Sequence, residues 1–149
     1  MLTRDLPRRI LVGLFLTLLV ILYPVMVSVY VFPPLFVGYA GWQILRGIEG
    51  AGWPYLLFPL AYLINLEVNL SLPLLMGLFS VLLYYLVLYE RIQYLKRCKL
   101  CVALISVTMI DLFYLLSLTG YDLLMDTHSL IYNDLLWYSL FADLIVVVL

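Results

Sequence analysis

The sequence predicts an all-α, polytopic membrane protein with six transmembrane helices in a single integral membrane domain, residues 1–149, and three observations carry that reading. Hydrophobic residues make up 66% of the chain and charged residues 11%, with a mean hydropathy of +1.14, whereas a soluble domain of this size covers itself with about 25% charge. The apolar residues fall into six runs separated by proline, glycine or charge. The 8 Lys and Arg residues sit on alternate connections between those runs.

The runs lie at about 10–32, 35–46, 53–67, 70–89, 100–118 and 130–149. The first is long enough to cross a bilayer, follows Arg4, Arg8 and Arg9, and has no small-residue cleavage site after it, so it reads as a retained helix rather than a signal peptide. Pro33-Pro34 ends it, since proline lacks the N–H of a helix interior and forces its predecessor out of helical geometry. The second and third runs flank Gly47-Ile48-Glu49-Gly50-Ala51-Gly52, and both are short. They either thin the membrane locally or form a re-entrant hairpin. The last three runs each supply about 20 mostly apolar residues, the length of a spanning helix. No internal repeat stands out.

With six crossings from a cytoplasmic N-terminus, Arg4, Arg8, Arg9, Arg46, Arg91, Lys96, Arg97 and Lys99 are all cytoplasmic. The outer loops then hold Glu67, Asp122, Asp126 and His128. This partition predicts six crossings with both termini cytoplasmic. Trp42, Trp53, Tyr89 and Tyr94 fall at the inner interface, as aromatic belts do.

A net charge of -1 gives no reason to expect nucleic acid as a partner. One histidine, His128, leaves no ligand set for haem or metal, and no nucleophile with its base can be assembled. No catalytic residue and no cofactor is therefore expected. Cys98 and Cys101 have redox spacing but no second pair to relay electrons, and beside cytoplasmic cations they read as reduced thiols at a helix start.

The polar groups inside apolar runs are the candidate sites. Asp111 lies near mid-membrane, where a carboxyl group is costly unless neutral or partnered, and Thr108 and Tyr114 are its nearest partners on the same helix face. It reads either as a coupling or proton-handling group or as a structural bond to another helix or to a partner subunit. Asp143 bonds through Ser139 or faces a neighbouring helix, and Asp134, nine residues away, points to the opposite face. Asn65, one turn after Tyr62, reads as a helix-packing group. Gly38, Gly41, Gly47, Gly50 and Gly52 would let a partner's helix approach closely.

The order of these features resembles a known family. A long first helix, the Phe32-Pro33-Pro34 break, a short helix ending in Trp and Arg, a small-residue loop, a third helix running into Asn65-Leu66-Glu67-Val68-Asn69-Leu70-Ser71-Leu72-Pro73, and a Tyr-rich fourth helix before a basic loop are similar to the bacterial rod-shape-determining protein MreD. The resemblance implies a non-enzymatic scaffold of the peptidoglycan elongation machinery in the bacterial cytoplasmic (inner) membrane. Its partner would be the bitopic MreC, and through it the wall synthases and the MreB cytoskeleton. The alternative is the substrate-binding component of an energy-coupling-factor vitamin transporter, a class similar in fold. Against it, the outer loops carry no Lys or Arg to hold an acidic ligand.

Overall fold

The computed structural model describes residues 6–30, 33–92, 94, 98–126 and 133–149. Arg4, Lys96, Arg97 and His128, together with Phe32 and Leu130 at the ends of expected segments, lie outside the described residues. Among those described, seven α-helices and no strand occur. They are α1 (Leu6–Val29), α2 (Val37–Arg46), α3 (Pro54–Asn69), α4 (Met76–Val87), α5 (Tyr89–Ile92), α6 (Lys99–Met125) and α7 (Asn133–Val148).

Each boundary has a local cause. Pro33 and Pro34 cannot continue α1, and a wide helical turn over Gly47–Ala51 follows α2 until Gly50 turns the backbone to a φ of 101°. Proline opens α3 at its first position, where a missing N–H costs nothing. Two further prolines lie inside helices, Pro24 in α1 and Pro59 in α3. Each frees the carbonyl four residues earlier, Val20 and Tyr55 respectively.

Helix α6 is the centre of the packing, with α2, α4 and α7 against it, while α1 packs on α3 and α3 on α2. Val107 and Ile110 of α6 are fully buried, with Val37 and Ile44 of α2 and Val81 and Tyr84 of α4 in the same core. A Cβ at Gly41 would lie 2.8 Å from both Ile110 Cγ2 and Val81 Cγ2, so that glycine sets how closely α2 meets α6 and α4. Gly38 faces α6 in the same way. These two glycines serve contacts within the chain rather than an approach by a partner helix.

All six apolar runs form helix, but their lengths do not support six crossings. At about 1.5 Å per residue, α2, α3, α4 and α7 reach about 15 to 24 Å, short of a hydrocarbon core of about 30 Å. Among the described residues, only Arg8–Val29 of α1 and Lys99–Met125 of α6 are long and apolar enough to cross a membrane. Proline and glycine breaks cut the intermediate hydropathy peaks into shorter rods. Helix α6 also runs beyond its expected end at 118, so Asp122, expected in an outer loop, is a buried residue of that helix.

Candidate functional site

The site grows from the start of α2. Phe36, just before the helix, is left-handed with a φ of 49°, and no local side chain caps the first turn. The amide groups there need acceptors from elsewhere. Helix α7 supplies them: Leu35 N–H donates to Ser139 Oγ at 2.9 Å, and Gly38 and Tyr39 N–H donate to Asp143 Oδ2 at 2.9 and 3.2 Å. Ser139 and Asp143 are four residues apart and thus share one helix face. A buried acid at a helix N-terminus also meets the positive end of the helix dipole.

Asp111 of α6 completes the arrangement. Its carboxyl group is within hydrogen-bond reach of the Asp143 carboxyl group, and Asp111 Oδ2 and Asp143 Oδ1 have no other hydrogen-bond partner. Two carboxyl oxygens that meet out of water attract only when a proton lies between them. Gly38 lies directly beneath, where a Cβ would stand 2.5 Å from Asp111 Oδ2. The partners expected for Asp111 are not the ones found. Thr108 bonds back to Leu104 O at 2.8 Å, and the Tyr114 hydroxyl is buried without a partner. Helix periodicity pairs residues of one helix, whereas this bond joins two helices and the end of a third. Asp143 does face a neighbouring helix, as one of its two expected roles, while Asp134 is exposed.

The same device occurs a second time. Glu67, expected in an outer loop, is a buried residue of the last turn of α3. Its carboxylate accepts from Leu75 N–H and Gly77 N–H, both at 2.5 Å, and so caps α4. Leu75 is left-handed with a φ of 71°, as Phe36 is before α2. The two sites share a Pro-Leu-x-x-Gly pattern, Pro34-Leu35-Phe36-Val37-Gly38 and Pro73-Leu74-Leu75-Met76-Gly77. A short internal repeat therefore exists where none was expected: the third residue is left-handed and the fifth, a glycine, donates to a carboxylate from another helix.

Asn65 joins α3 to α1. Its side-chain amide donates to Val20 O at 2.9 Å and Ile21 O at 3.3 Å, while its own oxygen accepts from Asn69 at 2.8 Å. Val20 is the carbonyl that Pro24 deprives of a donor, so α3 repairs the break in α1. The cysteines differ from expectation, because Cys98 and Cys101 form a disulfide. Cys98 is the N-cap of α6 and Cys101 lies in its first turn, which places the two sulfurs side by side.

Beyond these polar contacts, a lateral groove of about 730 Å³ runs between α1, α2 and α3. Among the described residues, no cluster of three or more His, Cys, Asp or Glu side chains exists to hold a metal ion. The chain matches no protein-family model, no curated protein and no solved structure.

Proposed function

We propose that the chain is an integral membrane protein that works by binding other membrane components rather than by catalysis. The observation that carries this is the surface of α1. Successive helical residues point about 100° apart, and Ile10, Leu11 and Val12 are 62%, 70% and 50% exposed, so apolar side chains face outward around most of its circumference. Such a helix is stable in lipid and not in water. Resistance of the protein to alkaline carbonate extraction tests this, and release into the supernatant would refute it.

Both long helices carry cations at the start, Arg8 and Arg9 on α1 and Arg91 and Lys99 at α6, with no Lys or Arg among the described residues just past either end. We place both starts on the cytoplasmic face. The chain between them then makes an odd number of crossings, with α2 and α4 packed against α6.

The finer reading is an MreD-like scaffold of wall elongation that docks a bitopic MreC-like protein. The feature order and the lipid-facing α1, free to take a second helix, support it. Co-purification with an MreC-like protein, and rounding of rod-shaped cells on depletion, are the expected results. The groove favours the second reading, a substrate-binding transporter component. A stoichiometric water-soluble, vitamin-like ligand in the purified protein would replace the scaffold.

A further inference from the structure

We infer that the groove between α1, α2 and α3 is a binding site for an anionic phospholipid of the cytoplasmic leaflet, its acyl chain along the aromatic walls and its headgroup at Arg46. The inference rests on the membrane reading above.

The walls decide the body of the ligand. Tyr23 Oη donates to Pro34 O at 2.7 Å and Tyr62 Oη donates to Leu35 O at 2.6 Å. Both hydroxyl donors are thus spent on the break before α2, which leaves ring faces and the side chains of Val20 and Phe58 toward the groove. A chain of CH₂ groups fits such walls, and a polar solute would lose hydrogen bonds to water without replacing them.

One end decides the headgroup. Arg46 closes α2 and lines the groove. Its guanidinium is held 5.0 Å from the Trp42 ring and 5.4 Å from the Tyr55 ring, and no carboxylate among the described residues pairs with it. Rings fix the cation without neutralising it. Gln43, one turn back on the same face, gives its Nε2 donor to Tyr39 Oη at 2.7 Å and keeps a buried Oε1 with no partner. A cation held by rings at the end of an apolar groove suits the phosphate of an anionic lipid such as phosphatidylglycerol. Basic pockets between helices on the cytoplasmic side recognise anionic lipids in this way.

Trp42 makes the site measurable. With Trp53→Phe and Trp137→Phe, it is the remaining tryptophan and reports bromine nearby by quenching. The protein is reconstituted in phosphatidylcholine vesicles containing either brominated-chain phosphatidylglycerol or brominated-chain phosphatidylcholine at equal fractions. The expected result is a roughly fivefold preference for the glycerol lipid, the equivalent of ~1 kcal/mol for one cation near the surface. Arg46→Gln abolishes the preference and Arg46→Lys keeps most of it, so loss of charge is separated from loss of folding. Equal quenching by both lipids in carbonate-resistant protein overturns the lipid site and leaves the membrane reading intact. So does quenching by neither, which means that no lipid chain enters the groove near Trp42. Release by carbonate overturns both.

Discussion

Asp111 and Asp143 meet carboxyl to carboxyl above Gly38, and the absence of a side chain at that glycine is what allows the meeting. Gly38→Ala therefore destabilises the protein by about 1–3 kcal/mol, the usual effect of overfilling a packed interior. In an Asp111→Ala background the same change costs much less, because the atom it would strike is gone. Thermal unfolding in detergent of the four members of this cycle measures the coupling. Equal effects in both backgrounds would show that Gly38 is needed for another reason.

Asp143 satisfies two backbone donors of α2, so the type of replacement matters. Asp143→Asn keeps an acceptor for Gly38 and supplies a donor to Asp111, and is expected to change stability by less than about 1 kcal/mol. Asp143→Ala leaves buried N–H groups and a lone carboxyl group behind, at about 3–5 kcal/mol. Unfolding midpoints of the two variants check the order, and a cost for Asn equal to that for Ala would show that hydrogen bonding at this position is not what Asp143 supplies.

Glu67 holds the start of α4 by itself. Glu67→Ala is expected to release the Leu75 and Gly77 amides, seen as faster hydrogen exchange in residues 75–79 with little change in α6. Glu67→Gln keeps one acceptor and loses part of the protection. Unchanged exchange in the alanine variant would mean that water replaces the carboxylate.

Asn65 repairs what Pro24 breaks, so the two positions should be coupled. Asn65→Leu orphans Val20 O and costs about 0.6–1.7 kcal/mol, the range for side-chain hydrogen bonds between membrane helices. Pro24→Ala restores the missing donor within α1 and shrinks that cost. A full Asn65→Leu effect in the Pro24→Ala protein would argue for packing instead.

The cysteines test the orientation. With the start of α6 on the cytoplasmic face, both thiols are reduced in growing cells and take two alkylating mass tags after rapid acid quenching, while oxidation of the purified protein closes the Cys98–Cys101 bond seen here. A bond already closed in cells would put that end of α6 in an oxidising compartment and invert the topology.

Hydropathy and breakers made the six helical runs legible, because burial in lipid and the missing proline N–H act locally. Asn65 was legible for a similar reason: a polar side chain on an apolar helix must find a neighbour. The Asp111–Asp143 pair was not, since residues on α6 and α7 meet only through the tertiary fold. Glu67 read as surface because a carboxylate beside a turn is usually solvated, and nothing local shows that its oxygens enter the next helix. The repeat was hidden by its chemistry. Phenylalanine and leucine do not announce left-handed backbone as glycine or asparagine would.

The two caps become available at different times as the chain is made. Glu67 precedes the amide of Gly77 by 10 residues, so α3 and α4 can lock together as soon as they leave the ribosome. The amide of Gly38 waits for Asp143, 105 residues later. At about 5–20 residues per second, that is about 5–20 s during which the start of α2 lacks the acceptors of α7. Every nascent molecule passes through this interval, and truncation before α7 would make it permanent, leaving a three-amide gap in the middle of an otherwise complete helical hairpin.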